Sequence, residues 1–256
     1  MTKEPALVNA LQISNFAVLL MGTPIQHSTC QHCKARFGSI FFKAEGENFA
    51  AINAASVCSV YKKGQVIFQE GAHSFGIYCI NSGKIKLSHS GDDGREQIIR
   101  LVKAGDIMGY KALLSGERYT ATAIALEDSQ VCFIPKDLFL TLLQNDPSLS
   151  FEMMRILSSE LRKAELKITH LAQKPVRERL AETLLFIHET YGVENDGQTL
   201  NVRLSREEIA NLVGTATESA IRLLSEFKKE GLIELEGKKI RLLNMNSIIK
   251  TANLQD

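Results

Sequence analysis

The stretch LSREEIANLVGTATESAIRLLSEFKKEGLI, Leu204 to Ile233, decides how the chain is read. It describes two helices joined by a tight turn. Ser205 is a good N-cap and Glu208 follows three residues later, the spacing of a capping box. Ile209, Ala210, Leu212 and Val213 then supply a buried face. Gly214 breaks the helix, because glycine enters the left-handed conformation at little cost. Thr215 is expected to cap the second helix, with Glu218 closing a second capping box. Ala220, Leu223, Leu224 and Phe227 recur at helical spacing and should face the first helix. Thr217, Glu218, Ile221 and Arg222 are left together on the opposite face, near the helix N-terminus.

That is the anatomy of a helix-turn-helix, whose second helix enters the DNA major groove N-terminus first. Arg can donate two hydrogen bonds to guanine O6 and N7, and Glu can accept one from the cytosine amino group. The plain alternative for Glu218 and Arg222 is an i,i+4 ion pair on a wet helix. Downstream, LIELEGKKIRLL forms two strands around Glu236-Gly237-Lys238-Lys239, a wing whose basic tip can lie against phosphate. The candidate DNA contacts are therefore Ser205, Arg206, Thr215, Thr217, Glu218, Ile221, Arg222, Lys238 and Lys239.

Upstream of the reader, residues 200–204 suggest a short strand and residues 176–191 an amphipathic helix with Leu180, Leu184, Leu185, Ile187 and His188. Lys174-Pro175 is a hinge. Before it, Asp146-Pro147 opens a long helix, with Pro tolerated at its first position. Met154, Leu157, Leu161, Ala164, Ile168 and Leu171 step along it by alternating threes and fours. So narrow a seam predicts a symmetric partner helix and a parallel homodimer. The plain alternative is a helix packed on its own β-roll.

Residues 135–145 form a short helix, and from Val60 onwards the pattern is one of strands. Gly64, Gly71, Gly83, Gly94, Gly105 and Gly109 punctuate them, which predicts an antiparallel β-roll. SGDDGRE is a hairpin loop between Leu87 and Ile98. Residues 50–57 suggest a short helix and residues 6–20 a loosely periodic one. The fold class expected is α+β: a β-roll resembling a double-stranded β-helix, a dimerisation helix and a winged helix-turn-helix. The domains expected are an N-terminal segment, 1–45, a β-roll sensor, 46–146, the dimerisation helix, 147–172, and the DNA-binding domain, 173–256.

The net charge of the 256 residues is +1, and residues 173–256 hold 12 Lys and Arg against 13 Asp and Glu, so affinity for DNA must come from where charges sit. Five Cys is an odd number in a chain too long to need disulfide staples, which points to a reducing, cytoplasmic setting. The apolar run 16–21 is too short to span a membrane. His73 and His89 are solitary and offer no metal cluster of the kind a cupin-type enzyme needs, so no catalytic residue is assigned.

In the order KKGQVIFQEG, INSGKIKL, AGDIMGY, long helix and reader, residues 60–243 resemble the Crp/Fnr family of bacterial transcription regulators. The resemblance implies an effector-sensing roll that reorients the DNA-binding domains, and contact with RNA polymerase if the protein activates. It matches Glu218 and Arg222 to the family's Glu and Arg that read a G·C pair. Thr217 stands where relatives often carry Arg or Val, and Ile221 where they often carry Gly or Ser. Cyclic-AMP-binding relatives carry Gly-Glu on the roll and then Arg-Ser or Arg-Thr. Here the pairs are Gly109-Tyr110 and Tyr119-Thr120, with Arg118 one place early. The Fnr branch holds an iron–sulfur cluster on three N-terminal Cys and one in the roll. This chain has Cys30 and Cys33, then Ser39, and Cys132 at the fourth position, with His27 or His32 as substitute ligands. Cys30 and Cys33 are also open to reading as a redox dithiol or as plain structural residues. Cys58 and Cys79 are expected to be small buried hydrophobes. Neither an iron–sulfur cluster nor a cyclic nucleotide is favoured as cofactor. The partners expected are double-stranded DNA and a second copy of the chain, with no membrane. The alternative function is a regulatory subunit acting on a protein.

Overall fold

The computed structural model describes residues 23–24, 33–43, 46–91 and 94–253. The helix expected over residues 6–20, and Cys30, His27 and His32, lie outside them. After 3-10 turns at Lys34–Gly38 and Ile40–Lys43 comes helix α1, Gly46–Ala55. It starts and ends earlier than expected, because Val57 already belongs to a strand. Eleven strands occur among the described residues: β1 Thr23–Pro24, β2 Val57–Tyr61, β3 Val66–Phe68, β4 Gly76–Ser82, β5 Lys84–Ser90, β6 Glu96–Lys103, β7 Ile107–Met108, β8 Thr122–Ala125, β9 Ser129–Pro135, β10 Ile233–Glu236 and β11 Lys239–Leu242.

The first nine make the roll as two antiparallel sheets, in the orders β1-β2-β9-β4-β7 and β3-β8-β5-β6. Successive side chains on a strand point to opposite faces. Val131 of β9 thus enters the core between the sheets, with Phe68, Ile80, Ile85, Val102, Met108 and Tyr119. Ile134 of the same strand enters a second core outside the five-stranded sheet, with Phe41, Ile52, Phe139, Leu142, Leu149 and Met153. The β4–β5 turn depends on Gly83, which has φ 98°. A Cβ there would meet Ser129 Oγ at 2.1 Å, so only glycine fits.

Helix α2, Tyr110–Ser115, precedes β8, and α3, Lys136–Asn145, follows β9. Helix α4 runs from Pro147 to Gln173, 27 residues. Asp146 caps it by accepting from the Leu149 N–H at 3.1 Å. Its first turns bury Leu149 and Met153 against the roll. Farther along, Met154, Leu161 and Ile168 lie 55%, 62% and 68% exposed, a stripe of large apolar side chains facing outward. No helix among the described residues is long and apolar enough to cross a membrane.

Helix α5, Val176–Tyr191, begins the C-terminal domain, which continues with α6, Arg206–Val213, α7, Thr217–Lys229, the β10–β11 hairpin and α8, Met245–Thr251. The expected strand at 200–204 does not form. Leu200 makes an isolated bridge to Val193 and donates its N–H to Ile240 O, and the Asn201 N–H turns back to Gly192 O. The C-terminal core is shared with the roll: Ile98 and Leu101 of β6, and Leu126, join Leu184, Ile187, Ile209 and Leu212 in one buried cluster. At the end of α5 the Tyr191 hydroxyl is buried between the carbonyls of Ile85 and Val102, at 3.2 and 3.3 Å. Burial drives its pKa far up, so it remains a neutral donor.

Candidate nucleic-acid interface

The reader starts at the capping box. Ser205 Oγ accepts from the Glu208 N–H at 3.0 Å, and Glu208 Oε2 accepts from the Ser205 N–H at 2.8 Å. Helix α6 buries Ile209, Ala210, Leu212 and Val213. Gly214 ends it at φ 74°, ψ 52°. The N–H groups of Gly214 and Thr215 both go to Ala210 O. Thr215 therefore still belongs to the closure of the first helix, and the second capping box does not form: α7 begins at Thr217, with Ala216 as N-cap and no side-chain cap. Ala220, Leu223, Leu224 and Phe227 are buried. Glu218, Ile221 and Arg222 are exposed and Thr217 is half-buried. Arg222 pairs loosely with Glu226, at 3.8 Å, rather than with Glu218.

Beside this face stands the wing. β10 and β11 pair from Ile233↔Leu242 to Glu236↔Lys239, so Gly237 and Lys238 form the tip. Lys238 is exposed and Lys239 half-buried. Arg206 bridges the two parts, donating through Nη2 to Gly237 O at 3.0 Å. This geometry holds the wing against the first helix.

Three supports escaped the sequence reading because their partners are backbone carbonyls or distant in the chain. Arg179 of α5 donates to Leu171 O and Lys174 O, at the end of α4, and to Gly214 O in the reader turn at 3.1 Å. Lys167 of α4 donates to Leu212 O at 2.7 Å, a cation at the C-terminus of α6. Burial lowers its pKa. Lys86 of β5 has a side chain only 9% exposed and lies between Glu96 Oε1, at 3.1 Å, and Glu208 Oε1, at 3.3 Å. Asn211 completes this joint by donating to Glu96 at 3.2 Å and accepting from Gln97 through its carbonyl.

Residues 58–146 match the model of a cyclic nucleotide-binding domain, and residues 178–250 that of a Crp-like helix-turn-helix domain. The chain is 30% identical over 221 residues to the regulatory protein HlyX of Actinobacillus pleuropneumoniae, covering 86% of this chain and 92% of that one. It is 32% identical over 192 residues to the fumarate and nitrate reduction regulatory protein of Escherichia coli, covering 75% and 76%. The chain belongs to the Crp/Fnr family. Among solved structures, a CRP/FNR family transcriptional regulator from Thermus thermophilus has 26% identity, a TM-score of 0.66 and coverage of 78% and 100%. FixK2 from Bradyrhizobium japonicum, at 24% identity, shares the fold with a TM-score of 0.71, over 78% and 99% of the two chains. This Crp/Fnr protein is accordingly a DNA-binding transcription regulator and not an enzyme. The alternative of a subunit acting only on a protein partner is not favoured.

In this Crp/Fnr roll the residues expected to form an effector pocket do not converge. Gly109 adopts φ 85° and leads into Tyr110, which is buried in the outer core beside Arg100. Arg118 donates to the carbonyl oxygen of Gly71, 2.9 Å away. Tyr119 is stacked on Phe68 with ring centroids 4.1 Å apart, and its hydroxyl donates to Ser74. Thr120 is exposed. Tyr78 packs on Phe68 and Phe133. Aromatic rings fill the interior a nucleotide needs, and the one displaced Arg is held outward, so these residues do not fit a cyclic nucleotide.

The cysteines also depart from expectation. Cys58 is bonded to Cys132 across β2 and β9. It is buried, but it is not the unbonded small hydrophobe expected. Cys33 and Cys79 carry no disulfide. Cys33, Ser39, Cys79 and Cys132 line one small cavity, of about 50 Å³, between the five-stranded sheet and the segment that covers it. Among the described residues no three His, Cys, Asp or Glu side chains are grouped to hold a metal ion. In this disulfide-bonded form the described residues offer the thiols of Cys33 and Cys79 alone, fewer than an iron–sulfur cluster takes, so the donor set does not fit one.

Proposed function

We propose that this regulator binds a near-palindromic operator as a parallel homodimer and reads each half-site with α7. Glu218 and Arg222 are assigned the base contacts, with Thr217 and Ile221 beside them setting flanking preference. The N-terminus of α7 lacks a side-chain cap. Its N–H groups are suited to a phosphate, together with Ser205 and Thr215, and Lys238 and Lys239 at the wing tip supply further phosphate contacts. Arg206 acts by holding the wing. The observation that carries the reading is the exposure of Glu218, Ile221 and Arg222 on one face of a helix whose other face is fully buried. The outward stripe Met154, Leu161 and Ile168 supports the homodimer, since a second copy would cover it. The cytoplasm is the setting we assign, and RNA polymerase is a further partner if the protein activates.

Relatives are named for fumarate and nitrate reduction and for anaerobic regulation. We therefore assign oxidant status, rather than a nucleotide, as the class of signal, sensed where the N-terminal segment meets the roll. Selection of operators from random duplexes, followed by binding of Glu218→Ala and Arg222→Ala, tests the reading. Each substitution is expected to lose about 1–3 kcal/mol of discrimination at one base pair. Full retention of sequence choice by both variants would overturn it.

A further inference from the structure

We propose that Cys132 is the central sulfur of an exchangeable thiol–disulfide site, with Cys58 and Cys79 as competing partners and a small hydroperoxide as the oxidant. The signal class above is assumed only for the link to DNA binding; the disulfide chemistry stands apart from it.

The argument starts from register. On β9, Cys132 is the direct partner of Cys58 on β2 and equally of Cys79 on β4. Directly opposed residues place their side chains on the same sheet face, and neighbouring strands lie only about 4.8 Å apart. Three sulfurs therefore stand in a row across three adjacent strands, with Cys132 in the middle. The pairing observed is Cys58–Cys132. Cys79 flanks it on the other side, and the cavity reaches both Cys79 and Cys132, while Cys58 is 3% exposed. A reagent entering the cavity thus meets the middle sulfur and one flank.

The chemistry follows. In the exchange, the Cys79 thiol loses its proton and the thiolate attacks Cys132 Sγ. The Cys79–Cys132 bond forms and the Cys58–Cys132 bond breaks. The electron pair leaves on the Cys58 sulfur, which takes up a proton, and there is no net oxidation. From the fully reduced state, the Cys132 thiolate attacks the hydroperoxide, giving a sulfenic acid and an alcohol or water. The sulfenic acid condenses with a flanking thiol to release water. A dithiol reverses the reaction by two exchanges, leaving as its own disulfide. A transcription regulator works beside DNA, in compartments where stable disulfides are rare and most are transient sensing bonds. Opening the bond removes the covalent tie between β2 and β9 and leaves their ladder of backbone hydrogen bonds in place, and β9 runs directly into α3 and so towards α4.

The test uses the full-length protein. It is reduced with dithiothreitol without oxygen, or treated with hydrogen peroxide, then acid-quenched, alkylated and mapped by peptide mass spectrometry. Expected are alkylated Cys58 and Cys132 after reduction, and a Cys58–Cys132 link after peroxide that dithiothreitol removes under native conditions. In Cys58→Ser the link is expected to move to Cys79–Cys132, and in Cys79→Ser to stay at Cys58–Cys132. Operator affinity of the two forms is expected to differ by at least about fivefold. A link that survives dithiothreitol in the folded protein, or a Cys132 in Cys58→Ser that pairs with Cys30 or Cys33 or not at all, overturns the site. Equal operator affinity with a normal link overturns its regulatory role while leaving DNA binding intact.

Discussion

Glu208 divides its carboxylate between two domains: Oε2 caps the Ser205 N–H that opens the reader, and Oε1 lies 3.3 Å from Lys86 Nζ on the roll. A single side chain thus caps the start of a helix and docks it. Lys86 pairs with Glu208 and Glu96 together from a nearly buried position, offsetting one of their two charges.

Lys86→Met keeps the apolar stem and removes the charge. Glu96 and Glu208 then face each other without a cation. We expect a loss of about 3 kcal/mol, the lower end of the range for breaking a buried pair. Urea unfolding of the variant measures it; a change within experimental error would show that the joint carries no stability.

The pH dependence has a definite sign. Burial of Glu96 raises its pKa, but hydrogen bonds from Ser88, Lys86 and Asn211 outweigh that and hold it below the ordinary value of 4.5. A carboxyl lowered on folding contributes stability that is complete above its unfolded pKa and lost as pH falls through the folded one. The stability gap between the unmutated protein and Glu96→Gln is therefore expected to be flat above the ordinary value and to shrink below it. A gap that widens on acidification contradicts this assignment.

Leu161→Asp places a charge in the exposed stripe of α4. Sedimentation should report monomer, and operator affinity should fall by at least about a hundredfold as the second half-site is lost. A variant that remains dimeric would move the interface elsewhere.

Arg179→Lys tests the support beneath the reader turn. A lysine cannot span the carbonyls of Leu171, Lys174 and Gly214 with one fork. We expect a loss of about 2 kcal/mol, the scale of a charged hydrogen bond, and weaker operator binding with unchanged sequence preference. Altered base preference instead would mean that the reader itself had moved.

The reader and the long helix were legible because their signals are local: a cap three residues from its partner, a glycine at a left-handed position, an apolar step of three and four. Even there the second cap was misplaced, since Thr215 satisfies its N–H on the preceding helix and leaves Ala216 at the boundary. What escaped was long-range. Cys58 and Cys132 stand 74 residues apart, and their pairing is set by the register of β2 on β9, which no spacing in the chain reveals. The filled roll was hidden for the same reason. Phe68, Tyr78 and Tyr119 lie on separate segments and meet only when the sheets close.

The length of α4 sets the mechanical scale of any response. Its 27 residues span about 40 Å at about 1.5 Å each. A tilt of about 5° pivoting at the roll would carry the far end through roughly 3.5 Å, close to the ~3.4 Å rise of one base pair. A lever of that length turns a sub-ångström adjustment near the sheet into a whole step along the duplex.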